Sequence, residues 1–260
     1  MTSSSTDLQE TSDGTVTLRQ QDVSLDDLSV ARLMWMEEAG ALAIECEDAL
    51  AETKDNVVTE MLRQQGDFTE WKHYPEGDVF DQKSHAQFYY HAHAADERVD
   101  GEHGHFHTFL RGGGIPSDRQ PAALPDLVMP AKRNDLICHV IGISMNVYGQ
   151  AFRLFTTNRW VTGETWFDAA DVIQIADSFR IDHTQPSWPT NRWISAMVTA
   201  FRPQIDALIL ARDEAMAAWA KRHPEENIYD DHALNVTSEM WISLDEQLDA
   251  IEAIRAAKQS

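Results

Sequence analysis

Cysteine is nearly absent from this sequence: Cys46 and Cys138 are the whole supply in 260 residues. They stand in unrelated segments without CxxC spacing, which argues against a disulfide framework and against a thiolate metal site. Lysine is scarce too, and arginine supplies most of the 21 basic residues, against 43 acidic ones. The net charge of −22 repels phosphate backbones and anionic lipid, so neither nucleic acid nor a membrane surface is an expected partner. No apolar run reaches the length that spans a bilayer. The first two dozen residues have neither a basic start nor an apolar core, so they do not read as a signal peptide. The expectation is a cytoplasmic protein with a flexible lead-in over 1–24 and one domain over 25–260. Gly112-Gly113-Gly114 is followed by no Lys-Ser or Lys-Thr pair and no helix, which argues against a phosphate loop.

What is present falls into three blocks. Residues 25–50 repeat apolar side chains at helical spacing behind Ser24, a candidate N-cap, and Asn56–Gln65 reads as a second, short helix. Phe68–Lys83 has no clean period and reads as a long ordered loop. Strands are expected at Gln87–Ala94, Glu102–Arg111, Leu136–Asn146 and Ala151–Thr157, with Arg159–Trp166 extending the sheet. Gly112–Asn134, rich in Gly and Pro, reads as a flap. Helices are expected at Phe167–Ser178, at Trp188–Arg222 with a kink at Pro203, and at Ser243–Ala257. This order predicts an α+β fold: a central antiparallel sheet flanked by N-terminal and C-terminal helices.

Histidine is where the sequence is concentrated. Five of the eleven histidines lie between His91 and His107, on two expected strands. Strand side chains alternate in face, so Tyr89, His91 and His93 share one face of the first strand, opposite Phe88, Tyr90 and Ala92. His103, His105, His107 and Phe109 share a face of the second. On the third, His139 accompanies Ile137, Ile141 and Ile143. Pairing His93 with His103 in an antiparallel hairpin sets His91 opposite His105 and Tyr89 opposite His107. Facing residues have Cβ atoms about 4.5–5.5 Å apart, close enough for two imidazoles to hold one ion. A bulge at Gly104 breaks this arrangement.

Five imidazoles in one patch repel one another when protonated, and a divalent cation removes the conflict by using their lone pairs. The expected ligands are therefore His91, His93, His105 and His107, with His103 at the rim and His139 joining if its strand lies alongside. Glu102 is the nearest carboxylate. His73, His85 and His183 are more distant candidates.

The stretch from His91 to Gly104 resembles the first cupin motif: His91-x-His93, then Glu97, then Gly104. The resemblance adds Glu97 as a carboxylate ligand. The family's preceding glycine is replaced by His85, and no second motif stands around His139. The match covers fourteen residues, and the chain is not assigned to that family. The layout of HxH plus a neighbouring His is also similar to sheet-borne zinc hydratase sites.

Imidazole and carboxylate donors suit Fe(II), Zn(II), Mn(II) or Cu(II). The favoured expectation is a non-haem, iron-dependent oxygenase acting on a small molecule, with Tyr74, Tyr89 or Tyr90 and Glu102 as acid–base or hydrogen-bonding groups. Trp71, Tyr74, Phe80, Phe88–Tyr90 and Phe106 are expected to wall its pocket. Alternatives are a zinc-dependent hydrolase or hydratase, and a non-catalytic metal or haem binder serving as sensor, carrier or store. The C-terminal helices offer a surface for a homodimer.

Overall fold

Ser29 starts the first helix, its Oγ accepting the Arg32 N–H as an N-cap does. In the computed structural model, which describes residues 9–10, 13–124 and 126–259, this helix, α1, runs Val30–Ala51. Ser24, the expected cap, instead accepts the Asp26 N–H in a turn, and Leu25 is buried with Leu33, Met36 and Ile251. A short helix α2, Val57–Leu62, follows behind a reciprocal capping box of Asn56 and Thr59.

The strands are β1 Gln9–Glu10, β2 Val16–Arg19, β3 Tyr74–Phe80, β4 Ala86–His91, β5 Glu102–Arg111, β6 Ile137–Asn146, β7 Ala151–Thr157 and β8 Val236–Trp241. They form one open sheet in the order β1-β2-β8-β7-β6-β5-β4-β3. The class is α+β as expected, but the sheet is mixed because β2 runs parallel to β8. Residues 16–19 fall within the expected lead-in; four residues are too few to display a period, yet Val16 and Leu18 are buried in the core. Positions 1–8 and 11–12 of that lead-in lie outside the described residues.

Beyond the lead-in, two further strands, β3 and β8, are not expected from the sequence because polar residues fill them. In β8, Thr237 and Ser238 are fully buried and both meet the Thr156 hydroxyl, while Ser238 also donates to the Leu208 carbonyl. In β3, the register shifts between Tyr74 and Val79, which spoils the alternation. Arg159–Thr162 does not extend the sheet; it forms α3, capped by Asn158 and ended by Gly163 at φ 63°.

The remaining helices are α4 Ala169–Ala176, α5 Trp188–Ala200, α6 Arg202–Arg222 and α7 Leu244–Gln259. Where one kinked helix was expected, α5 and α6 are separate and meet at 71°. Pro203 lacks the N–H that would continue the ladder. Among the described residues no single helix is long and apolar enough to cross a membrane.

The helices put their core on one side of the sheet. Phe88, Tyr90, Phe106, Ile141 and Ile143 join Trp193, Phe201 and Leu208 in a single buried cluster. The opposite side carries the histidines. An open sheet packed on one face is not a double-stranded barrel, so the fold implied by the cupin-like stretch does not hold.

At the start of β5, Glu102 faces Asn146 while Gly104 faces Met145, leaving residue 103 as the extra member of a bulge. A Cβ on Gly104 would lie 2.5 Å from the His91 carbonyl oxygen and 2.6 Å from Tyr90 Oη. Gly104→Ala should therefore destabilise the protein by about 1–3 kcal/mol. An unchanged urea midpoint would contradict this close approach.

Candidate metal centre

The β4–β5 register sets the site. Tyr89 faces His107 and His91 faces His105, as the symmetry of the hairpin predicts. His91 and His105 bring their Nε2 atoms to 2.7 Å. His93, just beyond the end of β4, completes a group in which one ligand atom from each of His91, His93 and His105 lies within 4.8 Å of the others. Two metal–nitrogen bonds of about 2.0–2.1 Å place their nitrogens about 3.0–3.4 Å apart. The His91–His105 pair need only open by a few tenths of an ångström to hold an ion between them.

The same bulge that was expected to disrupt this pairing instead sorts its neighbours. It turns His103 to the helix side of the sheet, where its Nδ1 meets Tyr90 Oη at 2.6 Å. It leaves Glu102 on the histidine side, where its carboxylate accepts the His105 Nδ1–H at 2.5 Å. That bond frees the His105 Nε2 lone pair to face the other histidines. Behind Glu102, buried Arg153 approaches at 4.0 Å and pairs with Glu239 at 2.8 Å.

A second irregularity, between Thr108 and Phe109, brings His139 opposite Phe109. His139 therefore separates from Ile141 and Ile143, which lie in the helix-side core, and its Nε2 meets His107 Nδ1 at 3.0 Å. Gly142, opposite both His107 and Phe155, gives the Phe155 ring its space: a Cβ there would lie 2.4 Å from the ring. Phe155 thus lies edge-on to His105 and His107, with centroids 5.2 and 5.6 Å away.

From the other side the segment before β3 reaches over the site. Trp71 stacks on His93 at 4.2 Å, and its backbone N–H donates to the Ala92 carbonyl. His73 stacks on Tyr89 at 3.6 Å, edge-on to His91, with its Nδ1 3.1 Å from Asp78.

These surroundings suppress charge on the imidazoles. Burial, then the neighbouring histidines, holds His91 down to about 2 and keeps His107 well below its ordinary value. Burial likewise takes His93 to about 4, and burial with Arg212 takes His139 to about 3. Burial pushes the Glu102 carboxyl up, but the His105 hydrogen bond and the charges of His105 and Arg153 outweigh it, leaving it below the ordinary value. Imidazoles converging on one point, His91 and His93 among them resisting protonation, with a carboxylate behind His105, form a donor set for a divalent transition metal.

The structure does not gather every residue expected at the site. Tyr74 faces Tyr90 in the helix-side core, and its hydroxyl accepts the Thr69 N–H. Tyr74 is thus on the wrong side of the sheet for chemistry at the histidines. Glu97 is exposed in the 3-10 turn Ala95–Glu97 and lies outside the three-histidine group. His107 and His139 form a pair beside that group rather than within it. Tyr89 lies beside His91 and His107. Phe88, Tyr90 and Phe106 line the core, so of the expected pocket walls only Trp71 and Tyr89 touch the site histidines. His85 meets Asn134, and His183 meets Asn191.

Arg153, Phe155 and Glu239 went unread. An arginine inside AFRLFTT was the available signal: a charge in an apolar strand needs a buried partner. The other was Gly142, alone in the run ICHVIGISMN, marking a close approach.

Fold and site together define a class: an α+β protein with a largely buried histidine centre on the face of its sheet opposite the helical core. The chain belongs to the family DUF6969, described as a domain of unknown function, whose model matches residues 37–242. That span includes all the histidines of the centre. No curated protein and no solved structure matches the chain.

Two outcomes follow from the geometry. Glu102→Gln keeps the shape but weakens the acceptor behind His105, and should lower metal affinity about 10–100-fold in a competition titration; unchanged affinity would remove Glu102 from this role. The second concerns acid. An unfolded imidazole protonates near its ordinary pKa of about 6.5, whereas His91, His93, His107 and His139 resist protonation. The unfolded chain then binds more protons, so the metal-free fold should lose stability as pH falls from about 6.5 toward 4. Glu164, raised to about 7 by burial, acts oppositely, its contribution disappearing as pH rises toward that value. Burial raises Glu47 and Asp206 in the same direction, while His103 is lowered with the other four histidines, so the histidines set the sign. A urea midpoint higher at about pH 5 than at pH 7 would contradict this sign.

Proposed function

We propose that the protein is a non-haem metal-dependent enzyme, an Fe(II)-dependent oxygenase acting on a small anionic molecule. The observation that carries this reading is the convergence of His91, His93 and His105, with Glu102 held on His105 Nδ1. Three neutral ligands leave an ion its full charge of two, which favours an anionic substrate that chelates it. Three protein ligands also leave coordination positions open, as a catalytic site requires and a structural one does not. In this role His91, His93 and His105 hold the ion and Glu102 orients His105. Phe155 excludes water from below, and Trp71 and Tyr89 shape the approach.

A second reading, a zinc-dependent hydratase or hydrolase, draws on one particular observation. Glu102 stands behind a histidine rather than among the ligands, and three imidazoles with a carboxylate behind one also describe zinc centres that activate water.

Metal analysis and absorption spectroscopy on anaerobically purified protein distinguish these readings. Stoichiometric iron with an O2-dependent change in absorbance is expected; colourless protein with stoichiometric zinc would overturn the oxygenase. His91→Ala combined with His105→Ala should abolish metal binding with the far-UV circular dichroism largely intact. Stoichiometric metal retained in that variant would refute the centre.

A further inference from the structure

A cavity of about 460 Å³ opens on the helical side of the molecule, sharing no residue with the histidine centre. It lies between α1, α5 and the segment 177–182 that follows α4, and its volume suits a small organic molecule. Four of the chain's 15 arginines line it, Arg32, Arg180, Arg192 and Arg202. In a chain with 43 acidic residues, the ordinary fate of an arginine is an ion pair. Arg202 has that fate, holding Asp177 and Asp206, and Arg180 lies 3.4 Å from Asp182.

Arg32 follows this pattern only loosely and Arg192 does not. Arg32 comes no nearer than 3.8 Å to Asp177, whose carboxylate Arg202 already holds. Arg192 makes neither an ion pair nor a hydrogen bond with any described residue. Each lies instead on an indole, its Cζ 4.5 Å from the ring centre of Trp35 or Trp188 respectively. A guanidinium stacked in this way keeps its in-plane N–H edge free for a planar, bidentate oxyanion. Trp35 is 45% exposed and, with Ala39 and Leu42, supplies an apolar wall. The hydroxyls of Ser195 and Thr199 already donate to the Asn191 and Ser195 carbonyls, leaving recognition to the arginines. Glu38 is the lining carboxylate without an ion-pair partner, and it is exposed to solvent.

We infer that this cavity binds a small organic oxyanion, a carboxylate or phosphate monoester on a flat apolar body. Arg192 and Arg32 take the oxyanion, and Trp35 takes the body. The site is independent of the metal centre.

Isothermal titration of the full chain with four probes tests this: 1-naphthyl phosphate, 1-naphthoate, inorganic phosphate and uncharged 1-naphthol. At least one naphthyl anion should bind saturably at one site, more tightly than inorganic phosphate, and naphthol should not bind. The stronger anion identifies the oxyanion type. Arg192→Ala should weaken the better anion by about tenfold or more, and Arg192→Lys should recover only part, because the charge returns without the fork. Arg32→Ala gives the same reading if Arg192→Ala does not fold. Naphthol binding as tightly as the anions, affinity unchanged in both alanine variants, or no saturable binding of either naphthyl anion at millimolar concentration would overturn the assignment.

Discussion

Imidazoles packed against one another out of water are the constraint on which the rest of this structure depends. His91, His105, His107 and His139 are each less than a tenth exposed, and protonating one places a cation beside its neighbours in a medium that screens poorly. Buried polar groups must be satisfied by partners, and here the imidazoles satisfy one another, His91 with His105 and His107 with His139. A divalent ion answers the same need more fully, by taking lone pairs that otherwise share protons. This is the physical link between an unusual sheet face and a metal.

Sheet irregularities decide which groups take part. A regular β5 would put His103 beside His105 and turn Glu102 away. The bulge reverses both, trading a further imidazole for the carboxylate that orients His105. The shift at Thr108–Phe109 similarly places His139 beneath His107 while Ile141 and Ile143 stay in the core. The centre is thus built from two local departures in one hairpin and its neighbour, supported by a row of side chains crossing from β5 to β8 through Arg153 and Glu239.

Much of this was legible in the sequence, for identifiable reasons. The strands carrying the histidines are rich in β-formers and bounded by turn residues, and the near-symmetry of YYHAH and HGHFH about their turn sets His91 against His105. Parity reasoning then failed where a strand departed from period two, at His103 and at His139, and β3 read as a loop because its register shift leaves no period, so Tyr74 was not expected in the core. The polar strand β8 was unreadable because Thr237 and Ser238 are satisfied by Thr156 and Leu208, partners far away in the chain. Glu97 came from the spacing of a short motif, and spacing alone does not say that a turn will hold the residue in solvent.

Excess acidity frames both sites. In a chain of −22, a histidine centre holding a cation would be a local source of positive charge, and so are Arg192, stacked on Trp188, and Arg32, only loosely paired with Asp177. The central claim is that His91, His93 and His105 hold one ion with no carboxylate bound to it. X-ray absorption at the metal edge of the metal-loaded protein tests it most directly. The account predicts about three imidazole scatterers at about 2.0–2.2 Å, reduced in His93→Ala. A first shell dominated by carboxylate oxygen, or one unchanged by that substitution, would contradict it.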